Sequence, residues 1–144
     1  VPAFYEDVAA GDEITPLLVE PTTTQLFFFS AATYNGHRIH YDRGWAVDVE
    51  GYPDVLVHGP LQAAFLARAV TDWAGPAGRL VTFRTQNRAS AFPGDQLRFG
   101  GSVERTRIDD GRGLVELVVR GEKDDGTLLM PGTAVVELPR RGAR

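Results

Sequence analysis

Three histidines, His37, His40 and His58, are the only ones in the 144-residue chain, and all fall within one short window. Two sit in TYNGHRIHYD (33–42), with Asn35 just ahead and Asp42 just behind. Imidazole is the side chain that exchanges protons near neutral pH, so the cluster admits three chemistries. A metal site would use His37, His40, His58 and Asp42, but a spacing of three in a loop does not set two rings on one helical face. A nucleophilic relay lacks its nucleophile, since there is no cysteine and Ser30, Ser90 and Ser102 stand outside any G-x-S-x-G elbow. The third is proton transfer to and from a neutral substrate, with backbone donors holding the charge that develops. The ordinary alternative is that His37 and His40 are solvated loop residues and that His58 caps or packs a helix.

The residues after His58 bear on the donors. In HGPLQAAFLARAVTDWAG, Pro60 suits a first helical position, Leu61, Ala64, Phe65 and Ala69 share a face, and Gly75 supplies a stop. A buried helix is therefore expected from Gly59 to Trp73. Its first N–H groups have no partner within the helix, and they favour an anion.

Other elements must hold this loop and helix start. EITPLLVE (13–20) reads as a first strand. PTTTQLFFFSAAT (21–33) reads as a helix in which Thr22 and Gln25 have capping-box spacing. Phe27, Phe28 and Phe29 in this run either line an acyl tunnel or belong to the core. DRGWAVDVEG can hold a short helix. From residue 79 onward RLVTFRTQNRASAF, DQLRFGGSVERTRI, GLVELVVRGEKD and TLLMPGTAVVEL are separated by PGD, DDGRG and DDG. These read as four strands joined by three hairpin-like connections. The sum is an α+β fold, an antiparallel sheet wrapped on a long central helix.

Composition narrows the class. The length fits one domain over residues 1–144, and 43% hydrophobic with 24% charged residues is that of an ordinary globular chain. A net charge of -4 argues against a surface that tracks nucleic-acid phosphates. Arg140, Arg141 and Arg144 form a short basic end, and 138–144 is expected to be a flexible tail. There is no long apolar run and no basic-then-apolar leader, which points to a soluble, cytoplasmic protein without membrane contact.

FSAATYNGHRIHYDRGWA, followed by EGYPDVLVHGPL, resembles the MaoC-like branch of the hot-dog superfamily. That branch contains (R)-specific enoyl-CoA hydratases and hydroxyacyl-thioester dehydratases. The resemblance covers essentially the whole chain. The family loop D-x-N-P-[LIV]-H and its later H-G-[MP]-[LA] are matched in the N-x-H-R-I-H-Y-D form of a mesaconyl-type and fungal-like subgroup. It implies a hot-dog fold and reversible hydration of a 2-enoyl thioester of coenzyme A or acyl carrier protein, with no cofactor or metal. The family histidine falls on His40, and the glycine whose N–H polarises the thioester carbonyl falls on Gly59. The family aspartate falls on Asn35, which can orient a water but cannot take its proton.

His37, His58 and Asp42 are expected in supporting positions, with Arg84, Arg88 and Phe29 as candidates for contact with substrate. The resemblance further implies a homodimer, or a heterodimer with a related hot-dog chain. Two other functions fit the same sequence: a catalytically silent scaffold subunit of a heteromeric hydratase, and a hot-dog acyl thioesterase.

Overall fold

The computed structural model describes residues 1–2 and 4–142. Five strands form one antiparallel sheet: β1 (Glu13–Val19), β2 (Arg79–Thr85), β3 (Leu97–Asp109), β4 (Arg112–Lys123) and β5 (Leu128–Leu138), in the order β1-β3-β4-β5-β2. Helix α1 (Thr23–Ala32) follows β1, and helix α2 (Gly59–Ala74) precedes β2. The sheet curls around α2, giving the α+β hot-dog architecture.

The long hairpins follow from alternation and turn chemistry. Along β4, Leu117 and Val119 face the core while Val118 and Arg120 are exposed, a period of two. Asp109 pairs with Arg112 across a two-residue loop in which Asp110 has φ 47° and Gly111 φ 75°. Both positive angles match the right-handed twist of the strands they join. Inside the sheet, Leu61, Phe65, Leu66, Ala69, Val70 and Trp73 of α2 are buried, and Phe65 meets Phe99 of β3 with ring centroids 5.5 Å apart.

One of the three expected hairpins, that across PGD, is absent. β2 ends at Thr85 rather than running to Phe92, and it pairs with β5, not with β3. Residues 86–96 form a crossover strap whose backbone has other partners: Arg88 N–H donates to Leu129 O at 2.8 Å, and Ala91 O accepts from Val57 N–H at 2.9 Å. PGD turns within this strap, where Asp95 accepts from Phe92 N–H at 2.9 Å. A turn signal fixes the local bend but not which strands pair across it.

α1 begins as expected, with Thr22 Oγ1 accepting from Gln25 N–H at 3.2 Å. Leu26 and Ser30, four apart, form its buried face, so Phe27 and Phe28 point outward at 55% and 65% exposure. They are not core residues. The short helix anticipated in DRGWAVDVEG is a π-helical turn, Trp45–Val49.

The expected free tail from residue 138 is held instead. Leu138 is buried at the end of β5, Pro139 O accepts from Tyr5 N–H at 2.8 Å, and Arg140 and Arg141 pair with Glu6 and Asp7. The carboxylates of the turn Tyr5–Asp7 give these arginines partners that charge counting along the chain does not show. The expectation for Arg144 lies outside the described residues.

Candidate active site

His40 closes a 3-10 turn, Arg38–His40, whose Ile39 and His40 side chains turn inward. The loop is fastened to the segment before α2 at two points: Leu56 N–H donates to Ile39 O at 2.9 Å, and His40 Nδ1–H donates to Leu56 O at 2.8 Å. A carbonyl oxygen only accepts, so this bond fixes the proton on Nδ1 and leaves Nε2 with a bare lone pair. Among the described residues Nε2 has no protein partner, and it is not sealed from solvent. Burial pushes the His40 pKa below the ordinary histidine value, opposed by the bond to Leu56 and assisted by the nearby His37. At neutral pH the ring is an uncharged base with its acceptor nitrogen facing out.

His58 lies directly beneath. Its ring is fully buried and stacks on His40 with centroids 3.8 Å apart and planes 18° apart, while Phe29 meets it edge-on at 4.8 Å. It packs rather than caps, since its side chain makes no bond to the helix it precedes. His58 Nε2 lies 2.7 Å from Ser30 Oγ, and Nδ1 is buried without a partner. A bare lone pair is tolerated in a core better than an orphaned N–H, so Nε2–H donates to the serine oxygen. Burial, and then the charge His40 can carry, push its pKa down to about 4.

The other expected residues divide. Gly59 is the first residue of α2, and among the described residues its N–H has no acceptor. Its Cα is so closely covered by Asn87 that an added Cβ would lie 1.8 Å from Asn87 Nδ2. Only glycine fits there without displacing that side chain. Asn35 forms a local turn, its Oδ1 accepting from His37 N–H at 3.1 Å, so the amide Nδ2 is the group left to reach outward. His37 is on the same loop, its exposed ring 5.8 Å from that of His40 and its Nε2 3.8 Å from Glu50.

Asp42 is committed to the loop: it accepts from Trp45 N–H at 3.1 Å and from Arg38 at 2.7 Å, and these bonds hold its pKa down. Arg84 and Arg88 are exposed on β2 and the strap, and neither borders the groove described next. Phe29 reaches the site from below, through His58.

An open groove of about 570 Å³ lies beside the histidine loop, lined by Phe27, Ser30, Ala31, Tyr34, Asn35, Gly36 and Tyr41 and reaching the histidines only through Ser30, the partner of His58. Its walls come from α1 and the histidine loop. Ser30 is shared by the groove and by the buried pair with His58. Sequence reasoning passed over three residues here. As a nucleophile Ser30 lacks its elbow, but its place four residues after Leu26 marks it as inward-facing. Asn87 falls in a stretch that the sequence pattern assigns to a strand. Gln62, one turn after His58 and buried, carries a polar amide into the core.

Comparison with known proteins places this arrangement. The profile of the family described as hydroxyacyl-thioester dehydratase type 2 matches residues 7–91, the stretch that holds the loop, the three histidines and α2. The chain belongs to this family. Within it, the chain is 56% identical over 98 residues to the mesaconyl-C(4)-CoA hydratase of Chloroflexus aurantiacus, covering 68% of this chain and 34% of that protein. It thus spans about a third of that relative's length.

Over 110 residues it is 32% identical to the 3-oxo-4,17-pregnadiene-20-carboxyl-CoA hydratase beta subunit of Mycobacterium tuberculosis, covering 76% of this chain and 79% of that one. Among solved structures, the R-hydratase PhaJ1 of Pseudomonas aeruginosa superposes with a TM-score of 0.85 at 19% identity, over 96% of this chain and 86% of that one. The ChsH1-ChsH2 complex of Mycobacterium tuberculosis gives 0.76 at 23% identity, over 91% and 98%. The structural likeness establishes the hot-dog fold for this hydroxyacyl-thioester dehydratase type 2 member. Among its described residues no helix is long and apolar enough to cross a membrane.

Proposed function

We propose that the chain is a hydro-lyase that reversibly hydrates a 2-enoyl thioester, of coenzyme A or acyl carrier protein, to the 3-hydroxyacyl thioester. The observation that carries this reading is His40, a buried neutral imidazole whose Nδ1–H is anchored on Leu56 O and whose Nε2 is free to take a proton. Hydration needs a base for water, an acid for Cα and donors for the enolate oxygen. His40 Nε2 removes a proton from water as its oxygen bonds to Cβ, and the π electrons move through Cα to the thioester oxygen. The Gly59 N–H at the start of α2 supports the charge on that oxygen. The imidazolium then returns its proton to Cα, so atoms and charge balance and His40 is restored.

Asn35 is assigned the orientation of the water through Nδ2, and His37 and His58 support the loop. Phe29 acts through His58, and Arg84 and Arg88 remain candidates for the carrier's phosphates outside the groove. The acyl group occupies the groove beside Ser30 and Tyr41. With crotonyl-CoA, loss of the enoyl-thioester absorbance is expected for the wild type. His40→Ala should reduce turnover by roughly 10²-fold or more. Full turnover in that variant would remove His40 from the role of base.

A second reading, a silent scaffold subunit, is favoured by one residue: Asn35 stands where the resemblance expects a carboxylate. The relative named as a beta subunit and the heteromeric ChsH1-ChsH2 assembly are compatible with it. β1 and β2 are the edges of the sheet, and open edges favour pairing with an identical or related hot-dog chain. Turnover by the purified chain alone distinguishes the readings: the scaffold has none until a partner is added. A cytoplasmic setting is part of the leading reading and is tested by cell fractionation.

A further inference from the structure

His58 is unusual for a residue that only packs. A ring with no solvent exposure, sandwiched between His40 and Phe29, could be filled by an aromatic hydrocarbon at no polar cost. Instead the site holds an imidazole with one nitrogen unpartnered and the other 2.7 Å from Ser30 Oγ. A buried polar group with half its capacity unmet is destabilising, which asks for a compensating role.

The geometry supplies one. His40 is anchored at Nδ1 by Leu56 O, but a single bond leaves the ring free to tilt about it. The face-to-face contact with His58 at 3.8 Å removes that freedom on one side. His58 is in turn kept from rotating by Ser30 Oγ, on a different helix and 28 residues away in sequence. Because Nε2–H of His58 donates to the serine, the hydroxyl hydrogen of Ser30 is left free to donate to whatever occupies the groove it lines.

We propose that Ser30 and His58 are a positioning pair for His40: the serine locks the buried ring, and the ring fixes the plane in which His40 presents Nε2. Neither residue touches the reacting atoms. The inference rests on the reading of His40 as the base, and it adds that the alignment of that base is set from α1.

The test uses Ser30→Ala and Ser30→Thr in the full chain, both small changes on a helix. Ser30→Ala is expected to lower kcat about tenfold with KM within twofold, and to raise the acid limb of the pH profile toward the ordinary histidine range as water enters beside the rings. Ser30→Thr keeps the hydroxyl and should restore both. In parallel, NMR titration of labelled His40 reads its environment without activity, and its midpoint should move in Ser30→Ala and return in Ser30→Thr. An unchanged kcat, acid limb and His40 titration in Ser30→Ala would overturn the proposal, as would a threonine variant that behaves like alanine. Turnover surviving His40→Ala would instead sink the base assignment, while the NMR titration still reports whether Ser30 governs the His40 ring.

Discussion

His40 and His58 stack as two imidazoles 3.8 Å apart, one open to solvent at Nε2 and the other fully enclosed. A proton on either raises the cost of a proton on the other, and only His40 can exchange one readily with water. The enclosed ring therefore stays neutral, and the outer ring is the one proposed to transfer the proton.

This relationship has a consequence for stability. The folded-state pKa of His58 is about 4, against the ordinary 6.5 of an unfolded chain. Above pH 6.5 both states hold a neutral ring and nothing is lost. As pH falls from 6.5 toward 4 the unfolded state takes up a proton that the folded state refuses, so stability drops by about 3 kcal/mol before levelling off. Urea midpoints measured between pH 7.5 and 4 should show this loss in the wild type, and His58→Gln should show a shallower slope over the same window. Parallel slopes in the two proteins would place the histidine's proton uptake elsewhere.

Asn35→Asp restores a carboxylate at the groove without disturbing the turn, since an aspartate oxygen can accept from His37 N–H as Asn35 Oδ1 now does. The added negative charge favours the imidazolium of His40. The acid limb of kcat/KM is expected to move upward by up to about one pH unit. The carboxylate can also accept the water's proton, so kcat should rise. If the purified wild-type chain is silent, this variant is the direct way to ask whether Asn35 is the reason. A pH profile identical to wild type means that residue 35 does not face the reaction centre.

Gly59→Ala tests the helix start. The new methyl group meets the exposed and movable end of Asn87, so the variant should fold with a loss of about 1 kcal/mol or less. Displacing that side chain across the free N–H of residue 59 should nonetheless reduce kcat by roughly 10²-fold, the scale of losing one oxyanion donor. Adding Asn87→Ala removes the collision and should recover part of the rate. A Gly59→Ala protein with wild-type kcat would argue against an oxyanion at this helix start.

The long elements were legible because each has a strong local cause. Pro60 and the apolar face through Ala69 mark α2, and Asp110-Gly111 marks the β3–β4 turn. That Gly59 opens α2 was legible as well. What the sequence concealed is long-range. Nothing local to TQNRASA says that its backbone must serve Leu129 and Val57 instead of extending β2. Likewise the bond from Ser30 to His58 joins two segments whose approach depends on how α1 lies against the start of α2. The exposure of Phe27 and Phe28 follows from the helical phase set by Leu26 and Ser30, which composition alone does not reveal.

The strap over residues 86–96 is fastened by main-chain atoms on both sides: its Ala91 O holds Val57 N–H just before α2, and its Arg88 N–H is held by Leu129 O of β5. The exposed side chains of Gln86, Arg88 and Ser90 are therefore free to vary while the placement of the helix start persists, whereas Ala91 is buried in the core and Asn87 covers Gly59. Proline at 57 or 88 is the exception, because it deletes the N–H on which the fastening depends. Sequence drift at those exposed positions can thus alter the surface of the strap without moving the start of α2.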